Sequence, residues 1–131
     1  MTGDQTGNAF AVIDMLIPPN GGPRPHSHAA FQESFYVIEG EIEVKTESQI
    51  YTAMKDAFVS IPLGGVVHQF KNRTDKTAHM LCVVVPAGLE KFFEEIGKPV
   101  QAGTFLPPPP PISPEEQQKM QKTAEKYGNQ L

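Results

Sequence analysis

The chain of 131 residues has a single cysteine, Cys82, so it can form no internal disulfide, and a reducing cytoplasmic setting fits. It has no apolar run of the roughly 20 residues that a membrane-spanning helix needs, so a membrane is not an expected partner. The opening residues, MTGDQTGNAF, are polar and lack the charged-then-apolar layout of a secretory leader. Positive charge is not in excess: 11 Lys and Arg stand against 15 Asp and Glu, for a net charge of −4. Without a basic stripe to track phosphates, nucleic acid is not an expected partner either. No internal repeat is found. Proline is plentiful at 13, but five of these fall in one run, 107–111. The length suits one domain with one core.

What is present reads first as short strands. AFAVIDMLIP (9–18) is a β-rich run closed by Pro18, Pro19, Asn20, Gly21 and Gly22. ESFYVIE (33–39) breaks at Gly40, and EIEVKTE (41–47) alternates charged and aliphatic positions, as a strand with one wet face does. QIYTA (49–53), AFVSI (57–61) and VHQFKN (67–72) follow, and TAHMLCVVVP (77–86) is the longest apolar strand, expected at the centre of a sheet. Strand starts about ten residues apart predict an antiparallel sandwich or barrel. Helices are expected only afterwards. Leu89, Phe92, Phe93 and Ile96 form one apolar stripe of a short helix ended by Gly97 and Pro99. The prolines 107–111 predict a polyproline II spacer. Ser113 as N-cap, Pro114 at N1 and Glu116 at N3 then start a second helix with a thin stripe of Met120, Ala124 and Tyr127, and Gly128 closes it. Residues 1–106 are read as the β-barrel with its short helix, and 107–131 as the proline-rich link and C-terminal helix of the same domain.

Chemistry concentrates in four residues. His26 and His28, at i and i+2, project to one face of a strand. Glu33 follows after a short connection, and a later strand can bring His68 alongside. Three imidazoles and a carboxylate form a ligand set for one divalent transition metal: Mn, Fe, Ni, Co or Zn. The carboxylate offsets part of the cation's charge in a dry interior and suits the harder metals. Gln32 is an alternative oxygen ligand if the loop register slips. His79 has no partner at motif spacing and is read as structural or exposed. Cys82 has no charge nearby in sequence to activate it, so a buried, inert thiol is expected. Phe35, Val37, Phe70, Met80, Cys82 and Val84 are read as barrel core, with an apolar small-molecule cavity as the alternative.

The two stretches GGPRPHSHAAFQESFYVIEG (21–40) and AFVSIPLGGVVHQFKN (57–72) resemble the two motifs of the cupin superfamily. His26, His28, Glu33 and Gly40 fall at the first motif's spacing, with Asn20 where its leading glycine is expected. Pro62, His68 and Asn72 match the second. Asp56 replaces its opening glycine, and one extra residue precedes the histidine if Gly64 is the motif glycine. Asn and Asp both tolerate turn geometry, and Asn72 is read as a turn residue rather than a ligand. Over nearly the whole chain the layout is similar to small single-domain cupins grouped with quercetin 2,3-dioxygenase. Such relatives carry more residues before the strand matching AFAVIDMLIP, so an N-terminal strand is expected either to be missing or to come from a partner.

The resemblance implies an all-β fold, an antiparallel barrel of jelly-roll type with two short C-terminal helices. It implies a metal held by His26, His28, Glu33 and His68, with Glu33 also the catalytic base. It also implies dioxygenase activity on a flavonol or related enol-containing small molecule. A homodimer is expected from the early chain start and the pendant C-terminal helix. Two other functions stay open: a non-oxidative isomerase, decarboxylase or lyase, and a small-ligand-binding module without turnover. A cavity lined by Arg or Lys would favour the former, and Arg24 and Arg73 are the only arginines.

Overall fold

Alternating burial along each strand builds the two layers. The computed structural model describes residues 1–101 and 113–129. The strands are β1 (Ala11–Ile17), β2 (Gln32–Glu39), β3 (Glu41–Thr46), β4 (Ile50–Met54), β5 (Phe58–Ile61), β6 (His68–Lys71) and β7 (Ala78–Val85). They pair antiparallel in two sheets, β1-β7-β2-β5 and β4-β3-β6. This is the expected jelly roll. Among the described residues no ladder closes the two sheets into a continuous barrel, so they face each other as a sandwich.

Period-two burial decides which side faces in. Glu33, Phe35 and Val37 of β2, Ile42 and Val44 of β3, Phe70 of β6, and Met80, Cys82 and Val84 of β7 are all buried between the sheets. Phe35 and Phe70 meet edge to face across the layers, 5.1 Å between centroids. These residues are the packed core, so the core reading of the apolar strand positions holds. As expected from its apolar run, β7 is central, hydrogen-bonded to β1 on one side and β2 on the other. A register shift between Val37 and Glu39 marks a bulge in β2.

Among the described residues three helices frame the sandwich: α1 (Gly3–Thr6), α2 (Leu89–Ile96) and α3 (Pro114–Lys126). Nothing in the sequence pattern announced α1. Its place is held by Glu90 on α2, whose buried carboxylate accepts from the Gly3 N–H at 2.7 Å and the Gly88 N–H at 2.5 Å. The α2 stripe is only half used: Leu89 and Phe92 are buried, whereas Phe93 and Ile96 remain exposed. α3 starts as read, with the Ser113 hydroxyl accepting from the Glu116 N–H at 3.2 Å. Its fully buried position is Ala124. The polyproline spacer expected at 107–111 lies outside the described residues. No helix among the described residues is long and apolar enough to cross a membrane.

Candidate metal centre

Two segments must cross for the site to exist, and backbone chemistry brings them together. His26 and His68 form an antiparallel bridge, each N–H donating to the other's carbonyl at 3.0 and 2.9 Å. The approach runs past Gly22, whose φ is 143° and at which a Cβ would sit 2.0 Å from the Phe70 carbonyl oxygen. Only glycine fits there. His28 follows His26 by two residues and shares its face, and Glu33 enters from β2 on the inward parity. One ligand atom from each of His26, His28, Glu33 and His68 lies within 4.8 Å of the others. All four side chains are buried.

The ring orientations are set from behind. The Nδ1 of His26 lies 2.8 Å from the Arg24 carbonyl, that of His68 2.9 Å from the Val66 carbonyl, and that of His28 3.2 Å from the Phe31 carbonyl. A carbonyl only accepts, so each Nδ1 carries a proton and donates. Each Nε2 of a neutral ring then presents a lone pair. His28 Nε2 and Glu33 Oε2 stand 2.8 Å apart, an ion-pair distance, yet both are buried without a hydrogen-bond partner, as is His68 Nε2. With the ring neutral the contact sets acceptor against acceptor, which is costly in a dry interior unless a cation lies among the donors. Nitrogen and oxygen donors from three imidazoles and a carboxylate suit a divalent transition metal. The residues therefore fit such an ion, and the carbonyls of Arg24, Phe31 and Val66 behind the rings already orient them.

Electrostatics agree with this arrangement. Burial, above all, lowers the pKa of His26 and His68 below the usual imidazole range, which keeps these rings in the neutral form that a metal requires. Burial also pushes the Cys82 thiol well up, and the Glu33 carboxylate beside it adds to the rise, so Cys82 stays a protonated, inert thiol, as expected.

The cupin-domain family matches residues 13–84, more than half of the chain. The chain belongs to the cupin family. It is 28% identical over 115 residues to quercetin 2,3-dioxygenase of Bacillus subtilis, an alignment covering 80% of this chain and 34% of that one. It therefore spans about a third of the length of that relative. The structure of a sugar phosphate isomerase from Silicibacter pomeroyi superposes with a TM-score of 0.59 and 27% identity, over 66% of this chain and 57% of that one. A predicted oxalate decarboxylase from Thermotoga maritima reaches a TM-score of 0.62 at 17% identity, covering 66% and 75%, which speaks for the fold alone.

In this cupin the four motif residues converge as the sequence implied, and the other candidates fall outside the cluster. The Gln32 amide faces outward and donates to the Ser60 hydroxyl at 3.2 Å. His79 sits on the outer face of β7, 2.5 Å from Asp14. Asn72 is a fully buried turn residue: its amide donates to the Ile17 and Lys76 carbonyls, and its oxygen accepts from Thr74. Sequence reasoning missed Phe31, whose ring stacks on the His28 imidazole at 4.1 Å and 15°. An aromatic three residues after a motif histidine was the available signal. It also missed the three carbonyl partners, which have no side-chain signature.

Proposed function

We propose that this cupin is a metal-dependent dioxygenase of quercetinase type, acting on a flavonol or related enol-containing small molecule. His26, His28, Glu33 and His68 would hold one divalent ion of Mn, Fe, Co, Ni or Zn. The observation that carries the reading is the buried set of donor atoms facing one another unpartnered, 2.8 Å apart at His28 and Glu33. A bound cation supplies Lewis acidity, which lowers the pKa of a coordinated enol hydroxyl. Glu33 is the carboxylate of the cluster and the group able to accept that proton at Oε2. The three imidazoles already carry a proton at Nδ1, donated to a carbonyl, and their Nε2 lone pairs would hold the ion, so none is free to take the enol proton. The apolar core around Phe35, Phe70 and Met80 keeps bulk water from the cluster. The similarity to quercetin 2,3-dioxygenase supports the choice of chemistry.

The test compares oxygen consumption by wild type and Glu33→Gln at matched metal content, with flavonols as substrate. An amide can still coordinate through oxygen but cannot accept the enol proton. The expected loss is about 10²–10⁴ in rate. Full uptake by the variant would reduce Glu33 to a ligand, and no wild-type uptake with any flavonol across Mn, Fe, Co and Ni would overturn the dioxygenase reading.

The 27% identity to a sugar phosphate isomerase structure supports a second reading, a non-oxidative isomerase or lyase. Neither arginine side chain is placed at the cluster. The Arg73 guanidinium donates to the Glu43 carboxylate at 3.0 Å on the outer side of the smaller sheet, and Arg24 is exposed.

A further inference from the structure

We propose that the closing turn of the C-terminal helix is a positioning element of the metal centre and acts through Phe31. The inference rests on the metal reading above. One residue holds His28 twice. The Phe31 ring lies nearly parallel to the imidazole, 4.1 Å away, and the Phe31 carbonyl accepts from His28 Nδ1 at 3.2 Å. His28 is 1% exposed and Phe31 4%, so both contacts work without competition from water. Ring face and ring edge are thereby fixed together, leaving Nε2 aimed at the cluster.

Phe31 lies in the short stretch between His28 and β2, where Ala29 and Ala30 are exposed and pack little. The end of α3 supplies the missing support. Gly128, with φ +77°, is so close that a Cβ there would lie 3.4 Å from the Ala30 methyl and 3.9 Å from Cδ1 and Cε1 of Phe31. The turn that puts it there is tied to the helix: the Gly128 N–H donates to the Glu125 carbonyl at 3.0 Å and the Asn129 N–H to the Ala124 carbonyl at 2.9 Å. Ala124, fully buried, docks this last turn, and Lys126 reaches Glu95 of α2 at 3.7 Å. A helix whose apolar stripe is too thin to build core thus spends its buried contacts beside a metal-ligand loop. Partners one step removed from a metal commonly set ligand orientation and so affinity.

The experiment is a cobalt(II) titration of the full chain, read by the visible d–d absorption and by competition with a chelator, with circular dichroism to confirm folding. The variants are Phe31→Leu, which keeps an apolar group but loses the flat ring, Phe31→Tyr, which keeps the ring, and Gly128→Val. A β-branched residue cannot sit comfortably at φ +77°, so Gly128→Val moves the turn away from Ala30 and Phe31 without touching a ligand. The expected result is affinity lowered about 10–100-fold in Phe31→Leu and Gly128→Val, with a changed absorption band. Phe31→Tyr should retain wild-type affinity and band. A folded Phe31→Leu or Gly128→Val with wild-type affinity and spectrum overturns the proposal. If Phe31→Leu does not fold, Gly128→Val alone decides. A wild type that binds no cobalt(II) overturns the metal reading itself, which separates the two failures.

Discussion

At the scale of single residues, what distinguishes His26, His28 and His68 from His79 is the direction of the Nε2 lone pair. The first three rings are held from behind by carbonyls and point inward; His79 reaches outward to an exposed carboxylate. Replacing His28 with Ala removes one of four donors from a rigid setting, and the protein should then carry little metal. His79→Ala removes only a surface pair worth about 0–1 kcal/mol and should leave metal content unchanged. Elemental analysis of both variants, purified without immobilised nickel, checks this. Equal effects, in either direction, would break the ligand assignment. The four-residue cluster was legible because residue type and spacing carry the chemistry. Asp56 and Asn20 were legible as glycine substitutes for the same reason, and both adopt left-handed backbone, at φ 71° and 64°. Phe31 and the carbonyls of Arg24 and Val66 were not, because their role depends on where the backbone passes and not on what the side chains are.

At the scale of elements, the crossing of the 20–28 segment over β6 makes the site. It is pinned by the Asn20 N–H to the Asn72 carbonyl at 2.7 Å, the Asn72 N–H to the Gly21 carbonyl at 2.9 Å, and the His26–His68 bridge. Gly22 sits inside this seam against the backbone of Phe70. Gly22→Ala should therefore lift the strap, costing about 1–3 kcal/mol for the backbone conformation alone, with the contact at Phe70 adding to it. Denaturant unfolding and metal content should fall together in this variant. Unchanged stability would show that the strap can pass elsewhere. Strands were legible in order and nearly in length, because alternation and Pro or Gly breaks report directly on burial. The helices were less so. The α2 stripe contains Phe93 and Ile96, which remain exposed, since only one side of a short helix touches the sandwich. α1 depends on a long-range partner, Glu90, that no local pattern reveals.

At the scale of the whole molecule the two outer faces differ. Outside the smaller sheet, Glu41, Glu43, Lys45 and Lys71 mix both charges, with Glu43 opposite Lys71, and exposed Ile50 and Met54 lie opposite Lys45 and Glu41. Outside the larger sheet, register aligns Val12 with Val83, and Leu81 with Tyr36 and then Phe58; Leu16 and Val85 extend the apolar area. Phe58 is 65% exposed, and the acidic groups Asp14 and Glu39 on this face have partners, His79 and Lys55. We propose that a second copy of the chain covers this face, giving the homodimer expected from the sequence. Four strands spaced about 4.8 Å apart and about 3.3 Å per residue give a footprint of roughly 450 Å². Two copies with side-chain relief reach about the 1,000 Å² that a specific interface needs. Light scattering at micromolar concentration should give a dimer for wild type and for Ile50→Lys on the other sheet, and a monomer for Phe58→Lys. A monomeric wild type, or a dimeric Phe58→Lys, would overturn it.

The strand order also sets a timetable. Among the described residues β1 has one strand neighbour, β7, and the pairing joins Ala11 to Val84 and Ile17 to Ala78. β2, β3, β4, β5 and β6 can find their partners from short sequence separations while the chain is still growing. β1 cannot be placed until β7 has been made, because among the described residues no other strand offers it a ladder. Its inward positions Ala11, Ile13, Met15 and Ile17 wait uncovered through that interval, and ordering them must overcome the entropy of a long loop closure. The moment β7 enters between β1 and β2, the larger sheet and both walls around Glu33 are completed in one step.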